Sequence, residues 1–257
     1  MGPAEALLLI KPRLHHPFEY VSYTLAELLM IGVLQVETRQ TRVHPNNPAL
    51  VTYHFVKPGG NFHRYAPLPY QAFLTHEFHL YPEIPIHQLA LRLKLSLGKL
   101  GKEDRYCSDY LKPHMEKMGL VPRYSWMLIH WYVPTGRGWK LRMRLYRDAY
   151  QIARSFPQWL TDDPDALGRC LATYGPILLM MPGLSFRTLA QIPDQLCDVS
   201  HLQSYLQQPS LYDWRELERL PSFGHLRFLE TWLARFEHAY ETLAVTPINT
   251  YGFGEEP

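Results

Sequence analysis

The sequence predicts a mixed, mostly helical α+β fold: two tandem helix-plus-hairpin units, then an all-helical C-terminal subdomain. Three observations predict it. Residues 36–56 and 124–146 each hold two strand-like segments around a turn rich in Pro, Gly or Asn. Apolar residues at helical spacing precede each pair. Beyond Ser155 the strand signals stop, and helical spacing runs on to Leu243.

Residues 1–17 contain three prolines and the pair His15-His16, and read as an extended lead-in. From Tyr20 the residues Tyr23, Leu25, Leu28, Leu29, Ile31 and Val33 give a helix, stopped or bent at Gly32. Val36–Val43 and Leu50–Val56 follow as a strand pair across Pro45–Pro48, closed by Pro58-Gly59-Gly60. Pro69–Phe78 reads as a short helix. In Ile86–Leu97 leucines alternate with Arg92, Lys94 and Ser96, as a strand would have them. Leu and Lys favour helix, however, and β-branched residues are absent over 88–97, so helix is the assignment. Glu103–Met118 is a third helix that must kink or restart at Pro113, which lacks an N–H to donate. Tyr124–Val133 and Trp139–Tyr146 then read as a hairpin about Pro134-Thr135-Gly136-Arg137-Gly138.

Helix, helix, hairpin is the order of a winged helix-turn-helix. Residues 18–66 and 67–154 therefore read as two winged-helix-like units, the second carrying a basic β-hairpin. Residues 155–245 form the helical subdomain. It holds a capped start at Asp162-Asp163-Pro164, a core residue in Cys170, and helices over Leu184–Ile192, Val199–Gln207 and Leu211–Leu220. A final helix from Phe223 to Leu243 carries a stripe of Leu226, Leu229, Leu233, Phe236, Tyr240 and Leu243. Residues 246–257 are a loose tail.

The 257 residues are 46% hydrophobic and 19% charged, which excludes a disordered chain or a collagen. Three scattered cysteines make no disulfide framework. Apolar runs such as Ile177–Met181 fall far short of the ~20 residues a membrane span needs. No secretory leader is visible, so a soluble cytoplasmic protein with no membrane partner is expected. The net charge of +2 hides a segregation. Residues 89–154 carry fourteen Lys or Arg against five acids, a net of +9; residues 155–257 carry six against thirteen, a net of −7. Either a polyanion meets the basic part or the two parts dock on each other.

Candidate chemistry centres on the basic hairpin. There Lys140, Arg142 and Arg144 alternate with Trp139, Leu141, Met143 and Leu145; Arg137 sits at the tip, and Trp131 lies across the ladder, where Arg142 can stack on it. Such a wing tracks phosphates. Lys99, Lys102 and Arg105 extend the patch, but Glu103, Asp104 and Asp109 at the same helix start oppose base reading. Tyr240 and Leu243 are candidates to meet a protein partner or a second copy. His76 and His79 are weak metal candidates, spaced i, i+3 without the i, i+4 pair of zinc proteases. No constellation supplies nucleophile, base and orienting group together, and no cofactor motif is present. The expected function is a non-catalytic binding protein, an interaction or assembly module in a larger complex. Low-specificity nucleic-acid binding is the alternative, and a metal-assisted enzyme the third reading.

Overall fold

Pro3 occupies the first turn of a helix, where its missing N–H costs nothing, and the helix formers Glu5, Ala6 and Leu7–Leu9 carry it on. This α1 (Pro3–Ile10) replaces the expected extended lead-in. It is buried on all sides, as a helix apolar all round must be. The structure, a computed structural model, describes residues 1–11, 17–42, 50–98, 105–122, 133–206, 209–214 and 216–242.

α2 (Pro17–Met30) packs on α1 and ends at Gly32, whose φ of 71° is the left-handed conformation a helix stop requires. β1 (Leu34–Arg42) and β2 (Leu50–Pro58) form the antiparallel pair expected there, with Val36 opposite Val56 and Thr38 opposite His54. A two-residue β3 (Ile84–Pro85) adds to the far edge of β2 and completes a three-stranded sheet in the order β1-β2-β3. Leu34 and Val56 face the core. The other face carries Arg39, paired with Glu37 and bidentate to Glu83 at 2.8 Å, and lying over the Phe55 ring.

Between β2 and β3 lie α3 (Pro69–Thr75) and α4 (Glu77–Leu80). α5 (Ile86–Gly98) is helical despite its alternating leucines, burying Leu89, Leu93 and Leu97 at four-residue spacing. A π-helical turn, Tyr106–Leu111, passes into α6 (Lys112–Lys117), with Pro113 in the first turn of the restarted helix.

The largest departure from expectation follows. Residues 139–146 are not a strand but part of α7 (Gly136–Asp162), a helix of 27 residues. Thr135 caps it by accepting the Gly138 N–H at 3.0 Å, and a Cβ at Gly138 would stand 2.1 Å from the Leu120 carbonyl oxygen. The Pro134–Gly138 cluster is thus a helix start clamped to the end of α6, not a hairpin tip. The other expected arm of that hairpin, through Tyr132, lies outside the described residues. The second unit therefore loses its wing strand.

Asp163 caps α8 (Pro164–Tyr174) as anticipated, accepting the Ala166 N–H at 2.8 Å. A 3₁₀ turn (Gly175–Met180), α9 (Phe186–Leu189), a 3₁₀ turn (Asp194–Cys197) and α10 (Val199–Ser204) follow. The expected helix over 211–220 is absent among its described residues. There Ser210 Oγ and Trp214 Nε1 both donate to the Ala172 carbonyl, and the backbones of Arg219 and Asp198 pair in an antiparallel β-bridge, so contacts with α8 and its neighbours override local propensity. A 3₁₀ turn (Phe223–Phe228) enters α11 (Leu229–Thr242). α11 packs chiefly on α5 and α2 rather than on the 164–220 helices, with Phe236 5.3 Å from Phe18. Among the described residues, no helix is long and apolar enough to cross a membrane.

Candidate functional site

α7 divides its side chains into three sectors. At about 100° per residue, Leu145, Ala149, Ile152 and Phe156 share one side, and all four are buried against α1 and α8. A second sector holds Trp139, Met143, Tyr146 and Tyr150, at i, i+4, i+7 and i+11. All four are exposed, Trp139 at 51% and Tyr150 at 76%. A third sector, beside the aromatic row and away from the core, carries Lys140, Arg147 and Arg154, with Arg137 and Arg144 further round. An apolar row on water needs an explanation, because large exposed apolar side chains in line are what interaction faces show.

Arg142 joins this face from the boundary with the core. Its guanidinium lies 5.1 Å from the Trp139 ring centre and 5.6 Å from that of Tyr146, so it stacks between rings one turn either way. Tyr146 is pinned further by its hydroxyl, which donates to the Ile10 carbonyl at 3.0 Å. Arg144 and Arg147 both reach Asp148, at 3.4 and 3.2 Å. The Tyr174 hydroxyl donates to the same carboxylate at 2.5 Å. Burial, and then the Asp148 charge, pushes the Tyr174 phenol well above its ordinary pKa, so it stays a donor and anchors α8 to α7.

The residues singled out from sequence are placed as follows. Arg137, Lys140, Arg142 and Arg144 come together on α7, but on a helix, where Arg142 stacks on its own neighbours. Trp131, the expected stacking partner, lies outside the described residues, as do Lys99, Lys102 and Leu243. Arg105 is exposed just before the π-helical turn. Tyr240 is half-buried on the chain's own Phe18, at 5.0 Å, with the Lys94 ammonium 5.5 Å from its ring. His76 and His79 are exposed at the ends of α4, and His79 rests on Phe62. Their nearest acids in sequence are engaged, Glu77 by Arg92 at 3.2 Å and Glu83 by Arg39. Among the described residues, no three His, Cys, Asp or Glu side chains gather as a metal ion needs. Cys170 lies in the core, its thiol pushed up to about 12 by burial.

Sequence reasoning missed a buried polar cluster between α1, α2, α3 and α6. Glu5 and Glu27 are both fully buried. Burial opposes the charge on Glu5, but His114 at 3.1 Å, the N-terminal ammonium and the Gly2 N–H outweigh it and hold the pKa below the ordinary value. Glu27 lacks the imidazole that serves Glu5. Burial first, then the Glu5 charge, raises it to about 8, against weaker help from Gln71, the N-terminal ammonium and Tyr212. The Tyr106 hydroxyl extends the network to Thr24 at 2.7 Å and to the Tyr70 carbonyl at 3.1 Å. A Glu at the third position of an all-apolar helix was the available signal. This cluster is enclosed, and it holds helices together rather than facing a ligand.

No family model, curated protein or solved structure matches the chain.

Proposed function

We propose that this is a non-catalytic binding protein whose contact face is the outer side of α7, and that the face takes single-stranded nucleic acid with little sequence preference. The observation that carries the reading is the pairing of two parallel rows on one helix. Exposed Trp139, Tyr146 and Tyr150 offer ring faces for bases, and Lys140, Arg147 and Arg154 beside them offer charge for phosphates. A single strand has the same arrangement, bases along one edge and phosphates along the other. A helix lying on a membrane would instead bring cations to both flanks of its apolar row. Here the flank toward the core carries Arg142 alone, already stacked on Trp139 and Tyr146. The α2–β1–β2 unit keeps the order of a winged helix's closing half, and we assign it a scaffolding part.

The test is fluorescence anisotropy of labelled oligo-dT and oligo-U over a salt series. Binding should weaken with salt, with a log–log slope of about −0.7 for each phosphate contact. Replacing Lys140, Arg147 and Arg154 by Glu should remove binding, and Trp139→Ala or Tyr150→Ala should each cost about 1–3 kcal/mol. No binding at low salt, or binding indifferent to the triple variant, overturns the reading. Capture by anionic vesicles or by an acidic protein, without oligonucleotide binding, also overturns it and reassigns the face.

A further inference from the structure

A second site, lined by no residue of α7, lies on the inner face of the sheet. Two cavities meet there. One, of about 870 Å³, runs between β1 and the start of α11, over Leu29, Leu34, Val36, Phe228 and Trp232. The other, of about 770 Å³, runs between β2 and α11 and is edged by Arg187, Arg235, His87 and His238, with Glu230 as the acid on its rim. His54 and Thr231 line both, so they form the waist between an apolar chamber and a cationic one. Each volume is within the range of pockets that hold small organic ligands, ~300–1,000 Å³.

His54 makes this a built site rather than a gap in packing. It is 9% exposed, and its Nδ1 is held by the Thr38 hydroxyl at 2.9 Å across the β1–β2 register. Its Nε2 is buried and has no hydrogen-bond partner. Buried polar atoms are nearly always paired, and one left open at the junction of two cavities points to a missing partner. The Thr38 hydroxyl can donate to or accept from Nδ1; in the tautomer where it donates, the ring hydrogen sits on Nε2 and is offered to an acceptor. Burial, and then the charge on Arg235, lowers the imidazole's pKa and favours the neutral ring.

We propose that the paired cavities bind a carboxylate with an unbranched or aromatic apolar body. The carboxylate accepts from His54 Nε2 with the Arg235 charge beside it, and the apolar body lies along Leu34, Val36 and Trp232. An acceptor alone would satisfy His54, but the Arg235 charge beside it selects a negative one. The chamber walls in turn reward apolar length. The proposal uses no residue of the α7 face, so the two stand or fall separately.

Isothermal titration of the full chain with sodium decanoate, decanol and sodium butyrate tests it. Decanoate should bind one-to-one, decanol about tenfold or more weaker, and butyrate weaker still, because each lacks one half of the match. Arg235→Gln, an exposed position, should weaken decanoate about tenfold while leaving decanol unchanged. Trp232→Ala should weaken both. His54→Leu should abolish the preference for decanoate over decanol, provided its thermal transition stays cooperative. Decanoate binding without one-to-one saturation, equal affinity for decanol, or indifference to Arg235→Gln would each overturn the proposal. The α7 triple-Glu variant should bind decanoate as the wild type does; loss there would move the site and sink the assignment.

Discussion

Replacing Glu27 by Gln should stabilise the protein at neutral pH and remove much of its sensitivity to alkali. Glu27 sits at 0% exposure beside Glu5, and its pKa stands at about 8 instead of the ordinary 4.5. The native state therefore keeps a proton between those values that the unfolded chain has already released. Stability then falls as pH rises through the window from 4.5 to about 8. At pH 7 the difference is worth about 3 kcal/mol against folding, from ~1.4 kcal/mol per pH unit above the unfolded pKa. Gln keeps the shape and never ionises, so the variant escapes the loss. Glu5 acts in the opposite direction. Its lowered pKa contributes stability above its unfolded value that disappears only as acid protonates it. Urea denaturation of wild type and Glu27→Gln at several pH values between about 5 and 8 measures the effect. The gap between the two should widen with pH by about 1.4 kcal/mol per unit across the middle of the window. Parallel curves would mean that Glu27 is not holding a proton in the native state, and would refute the reasoning.

Two further predictions concern the core. Tyr106→Phe removes two buried bonds, the 2.7 Å one to Thr24 Oγ1, which keeps the Tyr20 carbonyl at 2.9 Å, and the 3.1 Å one to the Tyr70 carbonyl, and should cost about 1–3 kcal/mol by chemical denaturation. Phe236→Ala, at 0% exposure, should cost about 3–5 kcal/mol in the same assay, whereas half-buried Leu233→Ala falls below the ~2 kcal/mol of a fully buried leucine.

Local chemistry was legible wherever it agreed with the tertiary context. The β1–β2 pair, the restart at Pro113 and the Asp163-Pro164 cap all follow from residues whose preference is fixed within a few positions. The assignments failed where alternation or proline was given more weight than propensity. Three prolines hid α1, yet Pro3 stands at the one place in a helix that tolerates it. Residues 139–146 alternate apolar and basic side chains as a strand does. They also contain no β-branched residue, the same argument that, applied to 88–97, correctly gave a helix there. The 211–220 stretch was beyond local reading, because its backbone is set by hydrogen bonds to Ala172, some forty residues earlier. The cations of the candidate site were legible as charge. His54 carried only the signal of a polar residue in a strand, and its significance needed the register that sets it opposite Thr38.

The misread alternation also explains the character of α7. On a strand, period two would have put Lys140, Arg142 and Arg144 on one face and Trp139, Leu141, Met143 and Leu145 on the other. Wound at 3.6 residues per turn, the same series cannot hide all its apolar members. Leu145 goes to the core, Leu141 to its edge, and Trp139 and Met143 are carried to the outside with Tyr146. A helix needing only stability would hold polar residues there, since its buried side already supplies Leu145, Ala149, Ile152 and Phe156. The row leaves about half of Trp139, Met143 and Tyr146 and most of Tyr150 uncovered within this chain, and large rings left on water beside a line of cations are the feature that a partner's stacking surface and negative charge would account for.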